Sequence, residues 1–326
     1  MSRPLKTTVD YLTVRTQARP LEALEGFRPL FGHLGSTLCL ERLKHGKDGF
    51  REGADLKLSG LRVGRLDWGG EAMRGWSRVQ LGGEGCNWVQ DWDAVESVEQ
   101  LANAEIRRFD PALTTWRGEV SHERVVQAHK AGRFTTGGRP PNMRQEVNSE
   151  PGKGSTVYVG DRASDKFGRF YEKGFEMLGG LPEALRGEGA TIDGFPVEGI
   201  YRSEIELKAK TRPLPWEVIE RRDEYFAGAY QFCADILPGI EPDILQRRPE
   251  RQAQLDLVAA LANCRQAYGN ILFTALHAYE GDMGAVWERI VGEKHAPQLV
   301  AAGVLLVDHY GDATPSRGYG GGERPM

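Results

Sequence analysis

Apolar and polar positions alternate with a period of two along much of the first hundred residues. The segments Val9–Val14, Leu56–Val63 and Trp76–Leu81 show this repeat, which predicts strands with one buried and one exposed face. Apolar residues at helical spacing instead predict helices over Leu21–Phe31 and Asp93–Asn103. Glycines interrupt the alternating segments, so we expect antiparallel strands joined by tight turns.

The middle of the chain mixes the two patterns. Ile106–Asp110 is strand-like. Ser121 followed by Glu123 predicts an N-capped helix, because the hydroxyl can accept from a backbone N–H and the acid suits the helix dipole. Residues 135–154 are rich in Gly, Pro and Arg and predict a long loop. Further strands are predicted over Ser155–Gly160, Phe167–Tyr171 and Ile200–Lys208.

After Pro213 the pattern becomes helical. Apolar residues recur at helical spacing over Trp216–Ile236 and Arg251–Tyr279, whereas 311–326, with three consecutive glycines, predicts a disordered tail. The predicted fold class is therefore α+β: a largely antiparallel sheet flanked by helices, with a helical C-terminal region. The predicted domains are 1–212, with its core at 101–210, and 213–310.

Composition excludes several classes of protein. The 326 residues carry 42 Lys and Arg against 46 Asp and Glu, a net charge of −4, which argues against a strongly basic nucleic-acid coat and against an acidic tail. The mean hydropathy is −0.47, and no apolar run approaches the ~20 residues that cross a bilayer. Because Met1–Val14 contains no apolar signal-peptide core, we predict a cytoplasmic protein without a membrane partner.

Cysteine and histidine spacing limits the kinds of metal site. The four cysteines stand far apart without a Cys-x-x-Cys pair, and the seven histidines show neither His-x-His nor His-Glu-x-x-His spacing. We therefore expect free, mostly buried thiols. Any metal would have to use oxygen ligands.

Basic residues concentrate in the middle of this acidic chain. Between Arg117 and Lys173 there are 11 Arg and Lys against 7 Asp and Glu. Such a segment predicts either a localised site for a polyanion or an ordinary solvated face. Charge counting alone favours neither interpretation.

Tyr171 is the candidate nucleophile within this basic segment. Alternation along a strand would place Arg169 and Lys173 on its face, where two cations would hold a phosphate beside the phenol. Because an ordinary tyrosine ionises near pH ~10, a nucleophilic phenolate needs such positive charge or a metal. Without these neighbours, a tyrosine on a strand is typically a packing residue.

Carboxylates on other strand-like segments are the candidate metal ligands. Asp110 ends one strand, and Glu204 and Glu206 share a face of another, because residues two apart point the same way. Carboxylates gathered on a sheet favour Mg²⁺ or Mn²⁺, which would polarise a phosphate ester. For Glu206, an exposed strand with alternating charges is an equally good interpretation.

A continuous stretch that includes Tyr171 carries a family resemblance. The stretch is Gly154–Gly174, with Arg108-Phe109-Asp110 upstream and Tyr201–Glu206 downstream. In order and spacing, these segments resemble the signature of the replication initiation factor family. That family comprises rolling-circle initiators of some Gram-positive plasmids and of certain filamentous bacteriophages.

The resemblance extends over about 101–210. The first strand, Asp10–Val14, is also similar to that of the family, and the glycine-rich segments 69–71 and 81–86 resemble its phage branch. Two positions depart from the family pattern: Thr114 stands where a second acid often follows Asp110, and Glu172 stands where an Asp is common.

The resemblance implies an enzyme that cuts and rejoins one DNA strand at an origin, single-stranded or extruded as a hairpin. Tyr171 would attack a phosphodiester, leaving a free 3′-OH and a 5′-phosphotyrosyl enzyme, with Arg169 and Lys173 stabilising the charge. Origin DNA, a host helicase and polymerase, and a second copy of the chain are the implied partners. The implied ligands of Mg²⁺ or Mn²⁺ are Asp110, Glu204, Glu206 and Glu176, and the implied contacts to the DNA backbone are Arg139, Arg144, Lys153, Arg162 and Lys166.

Two other classes of function remain open on the sequence. One is a DNA-binding replication or regulatory protein that does not cut, in line with the net charge of −4 and with Thr114. The other is a metal-dependent nuclease that hydrolyses DNA without using Tyr171. Tyr158 is a competing nucleophile, but its position between Val157 and Val159, with no basic neighbour expected on its face, predicts a structural role.

Overall fold

A computed structural model describes residues 5–148, 150, 153–183, 186–187, 189–245, 249–296 and 300. The chain divides into two compact units, Met1–Gln246 and Arg247–Met326. The tail predicted at 311–326 lies outside the described residues. The functional domains predicted above remain predictions.

Antiparallel strands form the framework of the first unit. In the described residues these strands are β1 (Thr7–Thr16), β2 (Leu38–Arg42), β3 (Glu52–Leu58), β4 (Leu61–Trp68), β5 (Ser77–Leu81), β6 (Glu105–Thr115), β7 (Met143–Glu146), β8 (Thr156–Gly160), β9 (Lys166–Tyr171), β10 (Thr191–Ile192), β11 (Phe195–Pro196) and β12 (Tyr201–Lys208). Strands β10 and β11 pair with each other, and the other ten form one sheet in the order β2-β3-β4-β5-β1-β6-β12-β9-β8-β7. Strands from both ends of the unit therefore meet at the centre of the sheet.

Helices accompany the sheet and make up the second unit. Those described in the first unit are α1 (Pro20–Phe27), α2 (Gly83–Asn87), α3 (Glu96–Glu99), α4 (His122–Lys130), α5 (Lys173–Gly179), α6 (Glu217–Glu220), α7 (Arg222–Ala229) and α8 (Gln231–Ile236). Those in the second unit are α9 (Pro249–Ala278) and α10 (Met283–Ile290). The predicted α+β class, with helices towards the C-terminus, is confirmed.

The segment Leu56–Val63, in which a glycine interrupts the predicted alternation, forms a hairpin. Ser59 and Gly60 connect β3 to β4 with φ angles of 50° and 86°. This left-handed pair is what a two-residue hairpin turn requires, and glycine adopts it without strain. The apolar positions change phase across the turn, from Leu56 and Leu58 to Leu61 and Val63.

Several other elements differ from the pattern in length. The helix predicted over Trp216–Ile236 is three short helices, and residues 28–37 continue α1 as 3₁₀ turns. The helix predicted over Asp93–Asn103 is confined to α3 and one preceding 3₁₀ turn. Strand β7 lies inside the predicted loop at 135–154. Ser121 caps α4 as expected, since its Oγ accepts from the backbone N–H of Arg124 at 3.2 Å.

The large sheet has an apolar face and a polar face. Leu12, Phe109 and Ile205 are fully buried in the main hydrophobic core, where α1, α7 and α8 also contribute buried side chains. Alternation along β6, β12 and β9 sends the intervening charged and tyrosine side chains to the opposite face. The candidate site lies on that polar face.

The second unit is described by α9 and α10. Asp282 caps α10, because its Oδ1 accepts from the N–H of Ala285 at 3.0 Å. None of the helices in the described part of the chain is long and apolar enough to span a membrane. The four cysteines are free; Cys39 and Cys264 are exposed, so the expectation that the thiols are mostly buried holds for two of them.

Candidate active site

Strand register brings distant segments of the sequence together on the polar face. Arg202 of β12 lies opposite Tyr171 of β9 on one side and opposite Thr114 of β6 on the other. Two residues further along β12, Glu204 lies opposite Arg169. Residues paired across antiparallel strands share a face. The candidate nucleophile, a candidate acid and two arginines therefore stand side by side.

Tyr171 ends β9 beside an open cleft of about 470 Å³. Only 8% of the residue is exposed, but its neighbours are charged. The Arg169 guanidinium lies 4.9 Å and the Lys173 ammonium 5.7 Å from the centroid of the phenol ring. The residues that line the cleft are Asp10, Gly83, Glu84, Asn87, Thr114, Trp116, Arg169, Tyr171, Lys173, Glu176, Met177 and Arg202.

Lys173 reaches Tyr171 from a helix rather than from a strand. Strand β9 ends at Tyr171 and α5 begins at Lys173, so the alternation predicted for 169, 171 and 173 stops one residue early. The Lys173 ammonium nevertheless lies beside the ring, and it pairs with Glu176 Oε1 at 2.7 Å one turn later. Glu176 therefore enters the cleft as the partner of Lys173.

The surroundings of Tyr171 act on its acidity in opposite directions. Burial raises the pKa of the phenol, while the positive charge of Arg202 lowers it. The negative charges of Glu204 and Glu176 add to the rise, and Arg169 opposes it. The two arginines therefore favour the phenolate that a nucleophile requires.

Asp110 is fully buried beneath the polar face. Arg108 Nε donates to both of its carboxylate oxygens, at 2.9 Å to Oδ1 and 3.1 Å to Oδ2. Burial raises the pKa of Asp110 to about 8, against the lowering effect of Arg108. Glu206 pairs with Arg108 at 3.1 Å and also with Lys208. Asp110 and Glu206 thus form an ion cluster around Arg108.

Glu204 and Asp10 are the carboxylates associated with the arginines of the cleft. Glu204 Oε2 accepts from Arg169 Nη2 at 2.6 Å and from Arg169 Nε at 3.2 Å. Asp10 Oδ1, from β1, accepts from Arg202 Nη2 at 2.6 Å. Burial raises the pKa of Glu204, and the charge of Asp10 adds to that rise. The two carboxylates are therefore close enough to influence each other beside Tyr171.

Asp10 and Arg202 were not identified as site residues from the sequence. Asp10 falls at a β-bulge between Val9 and Tyr11, where the extra residue re-aims a side chain. Strand order then places β1 only two strands from β12, a proximity that residue spacing does not reveal. Both residues could have been identified from the sequence, because their segments are similar to strands of the replication initiation factor family.

The four predicted metal ligands do not come together as one cage. Asp110 and Glu206 are paired with Arg108, and Glu176 is paired with Lys173. No group of three His, Cys, Asp or Glu side chains within the described ranges could hold a metal ion.

Two other oxygen donors, Asp10 and Glu204, are held by the arginines beside Tyr171. Gly83 leaves space at Asp10, since a Cβ at this position would lie 3.1 Å from Asp10 Oδ1. Mg²⁺ is commonly held by one or two carboxylates together with substrate phosphates rather than by an all-protein cage. Two carboxylates beside an open cleft are compatible with such a cation.

The predicted DNA-backbone contacts lie in different environments. Lys166 points to the apolar side of the sheet, where its ammonium donates to the Ala229 carbonyl and lies 4.0 Å from the centroid of the Tyr230 ring. This placement contradicts the predicted contact with DNA, and its cause is that Lys166 is out of phase with Arg169 and Tyr171 along β9. The exposed members of the set are Arg139, Arg144, Lys153 and Arg162.

Tyr158 has basic neighbours, contrary to expectation. It lies opposite Arg144 of β7 and Arg169 of β9, and the Arg144 guanidinium lies 4.6 Å from the centroid of its ring. The Tyr158 hydroxyl donates to Glu146 Oε2 at 3.2 Å. The expectation failed because Arg144 belongs to a strand that the sequence had assigned to a loop.

Comparison with known families fits this arrangement. The sequence model of the replication initiation factor family matches residues 104–254, the segment that supplies Arg169, Tyr171, Arg202 and Glu204. The match spans a little under half of the chain. Asp10 lies outside the matched segment. No curated protein matches the chain.

The fold of the chain is similar to a solved structure, the rolling circle replication initiator protein from Geobacillus stearothermophilus. The two chains are 22% identical with a TM-score of 0.51, over 74% of this chain and 100% of that chain. At this identity the likeness concerns the fold, and it agrees with the α+β architecture described above.

Proposed function

We propose that this chain initiates rolling-circle replication by cutting and rejoining one strand of origin DNA through Tyr171. The supporting observation is one arrangement: Tyr171 opens onto a cleft beside Arg169 and Arg202, whose partners are Glu204 and Asp10. The match of residues 104–254 to the replication initiation factor family supports origin DNA as the substrate.

Tyr171 acts as the nucleophile in this proposal. Its phenolate oxygen attacks the phosphorus of a phosphodiester, the bond from phosphorus to the 3′ oxygen breaks, and the leaving oxygen takes up a proton as a free 3′-OH. The 5′ phosphate stays on the enzyme as a tyrosyl ester. Because an ester replaces an ester, attack by a 3′-OH can reverse the step and close a strand.

Arginines supply the positive charge that this reaction needs. Arg202 lines the cleft beside Tyr171, so its guanidinium charge can stabilise a phosphoryl group that binds there. Arg169 lies across the strand pairing from Glu204 and contacts the ring of Tyr171. Fixed donors aimed at developing charge lower the barrier to such a transfer.

Asp10 and Glu204 would hold the divalent cation, Mg²⁺ or Mn²⁺, that we propose for the reaction. When bound, the cation would neutralise charge on the transferring phosphoryl group. Arg202 donates a hydrogen bond to Asp10, and Arg169 donates one to Glu204. Asp110 in turn accepts hydrogen bonds from Arg108. The ligand roles predicted for Asp110, Glu206 and Glu176 stay predictions.

The proposed product determines the partners. A free 3′-OH is the primer that a DNA polymerase extends, and extension of a nicked duplex requires a helicase to open it. We therefore propose host polymerase and helicase as partners, with the cytoplasm as the compartment. A second copy of the chain is a further proposed partner.

A nicking assay tests the proposed function. The substrate is a negatively supercoiled plasmid that carries the gene for this chain with its flanking DNA, incubated with Mg²⁺. We expect open-circular plasmid and a DNA–protein adduct that survives denaturing electrophoresis. Tyr171→Phe removes the attacking oxygen while keeping the ring, so it should abolish both products. Tyr158→Phe, the matched control, should retain both.

The same assay separates the alternatives. DNA binding with neither a cut nor an adduct would indicate a non-catalytic replication protein. Cutting that survives Tyr171→Phe would indicate a hydrolytic nuclease. Loss of the adduct in Tyr158→Phe would indicate that Tyr158, on β8, is the nucleophile instead.

A further inference from the structure

Tyr158 and its basic neighbours form a surface that the proposed nicking reaction does not use. We propose that Tyr158, together with Arg144, stacks a base of the single DNA strand next to the phosphate that Tyr171 attacks. The inference rests on the proposed function, because it supplies a binding position for the same substrate.

Strand register places this surface next to the nucleophile. Arg144, Tyr158, Arg169 and Glu204 form one row across β7, β8, β9 and β12. Tyr171 lies two residues beyond Arg169 on β9, and is therefore a diagonal neighbour of Tyr158. Diagonal neighbours in a sheet are separated by about 7–8 Å. This distance is roughly two nucleotides at the ~3.4 Å rise of a stacked strand.

The Tyr158 ring is held in place and only half-buried. Its hydroxyl donates to Glu146 Oε2 at 3.2 Å, and its ring is stacked with Phe167 at 5.8 Å between centroids and 19° between planes. A ring fixed at both its hydroxyl and its side loses little conformational freedom when a ligand arrives. Tyr158 is therefore pre-organised for stacking.

Arginines cover the two stacked rings. The Arg144 side chain is 67% exposed and its guanidinium lies 4.6 Å from the centroid of Tyr158. The exposed Arg162 lies 5.3 Å from the centroid of Phe167 in the same way. A DNA base can stack on the exposed face of the guanidinium. Alternatively, the base can displace the guanidinium and stack directly on the aromatic ring, which leaves the arginine able to bind phosphate.

The combination of features favours single-stranded DNA as the ligand. Aromatic rings beside a basic groove are the usual means of holding a single strand, because every base offers a flat face to a ring. A purely structural tyrosine would need neither exposed arginines nor a place beside the nucleophile. The site requires unpaired bases, since a ring cannot stack on a base inside a duplex.

Binding of two short strands tests the proposal in the Tyr171→Phe background, where no cutting interferes. The probes are a labelled oligothymidylate of about 12 nucleotides and an abasic strand of the same length and charge, compared by fluorescence anisotropy with Mg²⁺ present. We expect Tyr158→Leu to weaken oligothymidylate binding roughly 5- to 150-fold. Binding of the abasic strand should stay within about twofold.

Two further variants make the result specific. Tyr158→Trp keeps a stacking ring and should retain oligothymidylate affinity, which also guards against a folding defect in Tyr158→Leu. Tyr268→Leu removes a tyrosine that is 57% exposed in the second unit, and it should leave the difference between the two probes unchanged.

Three results would overturn the stacking site: unchanged oligothymidylate affinity in Tyr158→Leu, an equal loss for both probes, or a loss of the same size in Tyr268→Leu. Adduct formation on the plasmid by the parent chain, with Tyr158 and Tyr171 intact, reports separately on the proposed function. An adduct without a base-dependent effect of Tyr158 would reject the stacking site and leave the nicking proposal standing.

Discussion

At the scale of single residues, the charges around Tyr171 decide whether it can react. Burial raises the pKa of the phenol, and Arg202 and Arg169 lower it. Each arginine is in turn held by one carboxylate, Asp10 or Glu204. The proposed nucleophile therefore depends on four charged side chains from β1, β9 and β12, and neutralising one of them should affect chemistry more than binding.

Glu204→Gln tests this dependence. The substitution keeps the shape of the side chain but removes the charge that holds Arg169 and that would bind a cation. We expect the rate of plasmid nicking to fall roughly 100-fold, while the affinity for single-stranded DNA changes less than about threefold. Gel quantification of nicked plasmid and anisotropy measure the two effects. Equal losses of nicking and binding would instead assign Glu204 to folding or to DNA contact.

The sequence predicted part of this residue set. Tyr171, Arg169 and Glu204 could be placed on strand faces because a period of two fixes which side chains point together. The burial of Asp110 could not be predicted, because it depends on Arg108 folding back over the carboxylate. Asp10 required both a β-bulge and the order of the strands, which are set by tertiary contacts.

At the scale of elements, β9 places functional and structural side chains on opposite faces of the sheet. Arg169 and Tyr171 face the cleft, whereas the Lys166 ammonium lies against Tyr230 just before α8. Burial lowers the pKa of Lys166 to about 8. A charged ammonium on this side of the strand opposes folding, even though it donates to the Ala229 carbonyl.

Lys166→Met tests this account through the pH dependence of stability. Below pH 8 the parent chain must keep a charge in a partly buried position, at a cost of about 3 kcal/mol at most. Lys166→Met removes this cost but also loses the hydrogen bond to the Ala229 carbonyl. We therefore expect the variant to be more stable than the parent chain at pH 7 by about 1–2 kcal/mol. Chemical denaturation measured from pH 7 to pH 10 gives this difference.

The sign follows from proton binding. Between the folded pKa near 8 and the unfolded pKa near ~10.4, the unfolded chain binds more protons, so the parent chain gains stability as the pH rises. The advantage of Lys166→Met should therefore shrink over this interval. The control Lys153→Met, at a lysine that is 59% exposed, should show no such trend. A pH-independent difference for Lys166→Met would contradict the account.

Element boundaries were harder to predict than element types. The glycine in the segment Leu56–Val63 indicated an interruption, but the position of the turn at Ser59 and Gly60, between β3 and β4, came from the structure. Strand β7 was predicted as loop because it has few apolar residues; three of its four residues are exposed, and its order comes from pairing with β8. A short stretch of sequence around β7 does not include β8, so it does not reveal this pairing.

At the scale of the whole molecule, the candidate site belongs to the first compact unit. The cleft residues range from Asp10 to Arg202, all within Met1–Gln246. The fold class was predictable, because alternating segments followed by long helical repeats determine it. The strand order was not predictable, since β1 joins β6 across about a hundred residues of intervening chain.

A chain that ends at Gln246 should retain the chemistry. The sheet, the cleft and the stacked rings of Tyr158 and Phe167 all lie before this point, and a compact unit with its own core can fold alone. We expect its yield of covalent adduct on the plasmid to stay within about threefold of that of the full chain. Denaturing gels measure the yield, with truncated Tyr171→Phe as the negative control. A truncated chain that folds but forms no adduct would show that α9 or α10 contributes to the reaction.

The pairing of Arg169 with Glu204 and of Arg202 with Asp10 has a thermodynamic consequence. A phosphate that binds either arginine competes with its carboxylate, and a cation that binds either carboxylate competes with its arginine. A bound phosphate therefore frees a carboxylate for the cation, and a bound cation frees an arginine for the phosphate. By linkage, any factor by which the cation raises the affinity for DNA is also the factor by which DNA raises the affinity for the cation.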